Sequence, residues 1–212
     1  MSLPSLIVID DFYSDPDEVL KTANALQFAK SPVTNYPGER SGDLQEVAPK
    51  IYAEWREKFL ELYGRFNPQG NWQFSTQFQR IYAPKPGASE PNEGWVHRDP
   101  AFVAGVIYLN KDFIPNRGTT LVQPKRYNPD PNANLAFRNA YYGGRNKITD
   151  EDYAAALAKN NSRFDDSVKI ESRLNRFIAF DCRVPHKQAG FGAADEPRLT
   201  QIFFAYIIKD QL

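Results

Sequence analysis

At Asn71 the apolar period of this chain changes, and that change limits what the chain can fold into. Upstream, apolar residues recur at intervals of three and four. Ser14-Asp15-Pro16-Asp17-Glu18 reads as a helix start, with Asp15 as N-cap, Pro16 in the first turn and Glu18 closing a capping box. Val19, Ala23 and Leu26 then share one face. The spacing predicts a second helix over about 43–63, carried by Leu44, Val47, Ile51, Trp55, Phe59 and Leu62 and stopped by Gly64. Downstream the period is two: Trp72, Phe74, Thr76, Phe78, Arg80 and Tyr82 alternate with Gln73, Ser75, Gln77, Gln79 and Ile81. Further strands are predicted at 95–98, 102–110, 119–123, 176–181 and 199–208, divided by turn-rich stretches at 84–93 and 115–118. One-sided helices followed by many short strands imply a mainly β protein with flanking α-helices, an antiparallel sandwich or jelly roll.

The 212 residues suit one domain, with N-terminal helices over about 15–63 and an insertion over about 124–172 that interrupts the strand rhythm. That insertion reads as a lid or a loop, with a short helix from Asp150 to Lys159 capped by Thr149. Basic and acidic residues balance at 26 each, which disfavours a nucleic-acid partner because that would need a basic field. The single cysteine, Cys182, excludes an intrachain disulfide and a multi-cysteine zinc cluster, and it reads as a small buried hydrophobe. The apolar run Leu6–Ile9 is too short for a signal peptide or a membrane span and reads as a first strand. A reducing, cytoplasmic setting with no membrane partner is the expectation.

Chemistry is limited by the supply of two histidines. In Trp95-Val96-His97-Arg98-Asp99-Pro100, His97 and Asp99 are two apart, so in an extended segment they project from one face as two metal ligands would. His186 follows an apolar strand far downstream, where a sandwich could bring it across to His97. Two histidines and one carboxylate make the facial set of non-haem Fe(II) oxygenases. The same residues would also suit a core His97–Asp99 ion pair with His186 on a surface loop. Arg198 and Thr200 open the last apolar strand on a shared face, and a guanidinium beside a hydroxyl is built to hold a carboxylate. A solvated arginine at a strand end is the other reading.

In order and approximate spacing, His97/Asp99, His186 and Arg198/Thr200 resemble the motif of the Fe(II)- and 2-oxoglutarate-dependent dioxygenases, particularly the prolyl-4-hydroxylase-like branch, with Thr in place of Ser. Gly105-Val106-Ile107-Tyr108-Leu109-Asn110 is similar to that family's apolar strand. Gly118-Thr119-Thr120 is similar to its Gly-Gly-Thr turn, with Arg117 replacing the first Gly. The match spans roughly residues 77–208, apart from the insertion.

The resemblance implies a double-stranded β-helix with Fe(II) held by His97, Asp99 and His186. It implies 2-oxoglutarate as co-substrate, its 5-carboxylate on Arg198 with Thr200 assisting, and O₂ as oxidant. Tyr82 resembles a family tyrosine that also bonds this carboxylate, although core packing suits it equally. The implied reaction is hydroxylation of a C–H bond in a peptidyl or free amino acid, with release of succinate and CO₂. Retention of Asp99 favours hydroxylation, since halogenating relatives lack that carboxylate. The partner is then a small molecule or a peptide. The alternatives are a non-catalytic jelly-roll binding module and a cupin-like metalloenzyme that does not use 2-oxoglutarate. Residues 36–40 read as a turn that could border the site, 141–145 as a lid or loop tip, and Trp95 and Phe102 as shields or core. The sequence leaves the oligomeric state open.

Overall fold

A computed structural model describes residues 4–30, 36–66, 71–84, 92–113, 115–125, 129–143, 148–191 and 196–208. Strand β1 (Leu6–Ile9) leads into helix α1 (Pro16–Ala25), whose N-cap Asp15 accepts from the Glu18 amide at 3.0 Å. The expected reciprocal half of that capping box is replaced by an ion pair of the Glu18 carboxylate with Lys21, one turn on. After the short strand β2 (Glu39–Arg40), the predicted long helix is two helices, α2 (Leu44–Val47) and α3 (Pro49–Tyr63). Pro49 causes the break: its ring drives Ala48 out of the helical region, to φ −146° and ψ 60°. The break turns Val47 out to solvent, and the buried stripe of α3 is Ile51, Trp55, Phe59 and Tyr63, at intervals of four. Gly64 does not end the helix in a left-handed cap but opens a single 3₁₀ turn.

The remaining elements are β3 (Asn71–Ile81), β4 (Val103–Tyr108), β5 (Thr119–Pro124), α4 (Leu135–Tyr142), α5 (Asp150–Asn161), β6 (Phe164–Ile170), β7 (Phe177–Asp181), β8 (His186–Gln188) and β9 (Arg198–Ile208). They form a six-stranded antiparallel sheet in the order β1-β7-β4-β9-β3-β2 and a three-stranded one in the order β6-β5-β8. This is the mainly β, double-stranded β-helix architecture expected from the sequence. Segment 95–98 forms only an isolated bridge at His97. The expected insertion is shorter than 124–172, because β6 pairs with β5 along its length and belongs to the smaller sheet. The connection between β5 and β6 carries α4 and α5, and α5 begins with a complete Thr149–Asp152 capping box.

The strand period sorts side chains into two layers. Phe78, Val103, Ile107, Phe177, Ala179, Phe203 and Ala205 face α1 and α3 in the main core, where fully buried Trp55 stands edge-on to Phe74 at 5.1 Å. Truncating such an aromatic costs about 3–5 kcal/mol. Their alternates Ala104, Tyr108, Ile178 and Phe180 point the other way, toward Leu121 and Ile170 of the smaller sheet. In β9 the same rule sends Leu199, Phe203 and Ala205 to the helices and turns Arg198, Ile202, Phe204 and Tyr206 to the interior cavity. Among the described residues no helix is long and apolar enough to cross a membrane.

Candidate metal centre

His97 and His186 meet at the edge of the smaller sheet. Leu121 of β5 pairs with His186, and His186 in turn forms an antiparallel bridge with His97, which brings their rings to 4.6 Å. Each ring is oriented by a carbonyl two residues back. Nδ1 of His97 lies 2.7 Å from the Trp95 oxygen, and Nδ1 of His186 lies 3.2 Å from the Val184 oxygen. A carbonyl can only accept, so each Nδ1 carries a proton and Nε2 is the nitrogen turned toward a metal. Both Nε2 atoms face Asp99, His97 at 3.5 Å from Oδ1 and His186 at 3.2 Å from Oδ2.

Ligand atoms of all three residues therefore lie within 4.8 Å of one another. Burial and then the neighbouring His186 push His97 below the usual imidazole value. Burial alone would raise Asp99, but His186 and His97 draw it well below the usual carboxylate range. Neutral imidazoles and an ionised carboxylate are the states in which these groups bind metal. Three ligand atoms converging this closely fit a divalent cation. Two nitrogens and an oxygen, without sulfur, fit non-haem iron and leave further coordination positions for small ligands.

The centre opens into a cavity of about 410 Å³ between the sheets, which Arg198 also lines. Arg198 is 1% exposed, its Nε donates to the Arg117 carbonyl at 2.9 Å, and its guanidinium stands over the Tyr108 ring at 5.4 Å. Its Nη2 is buried with no acceptor, and so is the hydroxyl of Thr200, which is 0% exposed one pleat further along β9. A buried donor without a partner costs about 1–3 kcal/mol, so this pair is poised for an anionic acceptor. The donor set thus fits the terminal carboxylate of an oxoacid.

Tyr82 is not part of this site. It continues the parity of Phe78 and Arg80, the helix-facing side of β3, and lies 51% exposed in an outer groove with Leu20, Lys21 and Asn24 of α1. Phe102 is also away from the cavity, half exposed against Trp72, whereas Trp95 lines the cavity and packs on Tyr153. Tyr36, Pro37 and Arg40 border the cavity, as does Tyr142; Gly144 and Arg145 lie outside the described residues. Cys182 is buried, and burial followed by the Asp99 charge pushes its thiol up, consistent with a packing role.

Several residues that position the site had not been singled out as functional. Arg117, noted only as a departure at a glycine position, is fully buried; it donates to the Glu196 carbonyl at 2.8 Å while its own carbonyl holds Arg198. Asn132 brackets Arg98, accepting from its amide at 2.9 Å and donating to its carbonyl at 3.3 Å. Asn160 and Asn161, ending α5, bond the carbonyl and amide of Val96 at 3.0 and 2.9 Å. The connection between β5 and β6 is thereby moored to the backbone on both sides of His97.

Comparison with solved structures places this architecture among 2-oxoglutarate oxygenase folds. Over 95% of its length the chain is similar to HygX from Streptomyces hygroscopicus, solved with nickel and 2-oxoglutarate bound, at 12% identity and a TM-score of 0.60 over 82% of that chain. It is similar to a Pseudomonas putida prolyl-4-hydroxylase over 97% of this chain and 94% of that one, at 13% identity and a TM-score of 0.55. The non-heme alpha ketoglutarate dependent epimerase SnoN from nogalamycin biosynthesis matches over 95% of this chain and 77% of its own, at 12% identity and a TM-score of 0.57. At these identities the likeness establishes the fold. No curated protein matches the sequence. One family model covers residues 3–189, and the chain belongs to that family, the family of unknown function DUF6445.

Proposed function

We propose that this chain is an Fe(II)- and 2-oxoglutarate-dependent oxygenase that hydroxylates a C–H bond of a free or peptidyl amino acid. The observation that carries the reading is the pair of buried, unpartnered donors on Arg198 and Thr200, in line with a His-Asp-His cluster in the same interior. A structural ion pair would explain His97 and Asp99, but it would leave those two donors without a purpose. The amino-acid substrate is supported by the prolyl-4-hydroxylase-like order of motifs and by the extent of the likeness to the Pseudomonas putida enzyme.

In this reading His97, Asp99 and His186 hold iron, and Arg198 with Thr200 holds the 5-carboxylate of 2-oxoglutarate. When bound, iron and the oxoacid supply oxidative decarboxylation by O₂, with succinate and CO₂ as products and an alcohol formed at the substrate carbon. The chain's own work is placement. The Trp95 and Val184 carbonyls orient the imidazoles, the Arg117 carbonyl aims Arg198, and Asn132, Leu135, Arg138 and Tyr142 of the connection between β5 and β6 wall the cavity.

The test is anaerobic titration of the protein with Fe(II) and then 2-oxoglutarate, followed by a succinate-formation screen against amino acids and peptides. A visible charge-transfer band that needs both additions and disappears in His97→Ala is expected. Metal binding without any response to 2-oxoglutarate would point to a cupin-like enzyme, and binding of neither to a non-catalytic module.

A further inference from the structure

The cavity carries more positive charge than iron and 2-oxoglutarate account for. Besides Arg198 it is lined by Arg40, Arg98 and Arg138, and the Nε atom of each of these three is buried without a hydrogen-bond acceptor. Among the described residues none of the four arginines forms an ion pair with a carboxylate. The fifth cation of the lining, Lys187, is already matched by Glu93 at 2.8 Å and Asp166 at 3.7 Å. Among the described residues of the lining Asp99 is the only carboxylate side chain.

In the proposed holoenzyme, Asp99 and the 1-carboxylate of 2-oxoglutarate balance Fe(II), and the 5-carboxylate balances Arg198. Three guanidiniums then remain. Part-buried like charges without counter-ions among the described residues are costly, and arginine cannot shed its proton to escape that cost.

Arg98 is bracketed by Asn132 beside the metal ligands, and the other two come from separate elements. Arg40 lies on β2, reached through a turn at Gly38, where φ is +76° and a Cβ would meet the Arg80 carbonyl at 2.0 Å. Its guanidinium stacks 3.4 Å over the Tyr36 ring, and Nη1 makes one long contact, 3.5 Å, with Gln77. Arg138 comes from α4, in the connection moored beside His97. Burial, more than any neighbour, pulls both guanidiniums down, Arg40 to about 10. Arg40 is near enough to Arg138 to be repelled by it, and both are near enough to Asp99 to feel its attraction.

We propose that Arg40 and Arg138 together bind an oxyanion of the primary substrate, a carboxylate or a phosphate monoester on a small organic molecule. The proposal rests on the oxygenase reading and narrows it. Of the two amino-acid forms, it favours one with a free carboxylate over a residue inside a peptide chain. A planar guanidinium offers two parallel donors to such a group, and a pair contributed by β2 and by α4 would close the cavity as the anion binds.

The experiment uses Ni(II) and 2-oxoglutarate to load the full chain, then titrates benzoate and, separately, inorganic phosphate by calorimetry. At least one of the two anions should bind in the millimolar range. Arg40→Gln and Arg138→Gln should each weaken it by about ten-fold or more, with Ni(II) and 2-oxoglutarate affinities kept within about three-fold. Removing a part-buried charge that has no ion pair among the described residues should leave Tm unchanged or raised, so misfolding is separately visible. Preference for benzoate assigns a carboxylate substrate, and preference for phosphate a phosphorylated one. The proposal is overturned if neither anion binds the loaded wild type, if binding ignores both substitutions, or if the substitutions weaken 2-oxoglutarate equally. Should Ni(II) and 2-oxoglutarate themselves fail to bind, the same titrations on the unloaded chain decide the anion site. Binding that depends on Arg40 and Arg138 there would keep it while the oxygenase reading falls.

Discussion

His97 and His186 exchange both of their backbone hydrogen bonds: the amide of each donates to the carbonyl of the other at 3.0 Å. The two rings are thus set side by side by main chain, without help from the side chains themselves. This separates the fold from the chemistry. Replacing either imidazole with Ala leaves the bridge intact while deleting one of the three proposed ligands. His97→Ala and His186→Ala are therefore expected to fold with unchanged circular dichroism and to lose Fe(II) or Ni(II) affinity by at least about 100-fold, since even outer-shell losses cost 10–100-fold. A retained affinity in calorimetry would mean that the metal lies elsewhere.

Among the described residues the stretch preceding His97 has no strand partner on its other side; side chains supply one. Asn160 donates to the Val96 carbonyl, Asn161 accepts from the Val96 amide, and Asn161 donates to the Gly94 carbonyl at 3.0 Å. Asn160 is fully buried and also bonded by Arg163. Asn160→Ala should destabilise the fold by about 1–3 kcal/mol in urea melts, because the Val96 carbonyl and the Arg163 guanidinium are left without that partner. It should also weaken metal binding by about 10–100-fold without touching a ligand. A stability loss with wild-type metal affinity would assign these asparagines to packing alone.

For Arg198 and Thr200 the signs of the effects differ between the free and the loaded protein. The Thr200 hydroxyl is buried with no acceptor or donor in the free protein. Thr200→Val should therefore leave Tm unchanged or slightly raised without ligand, and weaken 2-oxoglutarate by about five- to ten-fold, one hydrogen bond's worth. Arg198→Gln should weaken 2-oxoglutarate by about 100-fold or more and leave Ni(II) binding alone, since in the proposed function the guanidinium meets the distal carboxylate and not the metal. Calorimetry with metal first and oxoacid second checks both. A fall in Tm for Thr200→Val would show that the hydroxyl serves the fold.

The sequence made the metal set legible because it follows from local rules: two residues on one face of an extended segment, and one histidine at a strand end. The sandwich followed from the change of period at Asn71. What stayed hidden depended on long-range pairing. The strand β6 has an exposed, polar centre, buried only at Phe164 and Ile170, so it shows no alternation to read. Arg40 lies on a two-residue strand in a segment legible only as a turn that could border the site. Arg138 lies in a helix whose neighbours carry no motif, and only the closed fold brings both to the cavity with Asp99. The proline at 49, by contrast, was visible and outweighed by the apolar stripe on either side of it.

Tyr82 was also decidable in principle, because parity along β3 assigns it a face. Phe74 and Phe78 pack on the helices, and residues of the opposite parity, such as Ser75 and Gln79, line the cavity. Tyr82 keeps the parity of Phe78 and emerges past the strand end, half exposed beside α1. A phenol bonded to the 5-carboxylate would be worth about 1.5–3 kcal/mol, or about ten-fold or more in affinity. From its position the expected result of Tyr82→Phe is instead a 2-oxoglutarate affinity within about two-fold of wild type and a stability change within about 0.5 kcal/mol. Titration of the metal-loaded variant decides it, and a ten-fold loss would require the phenol to reach the cavity in the loaded protein.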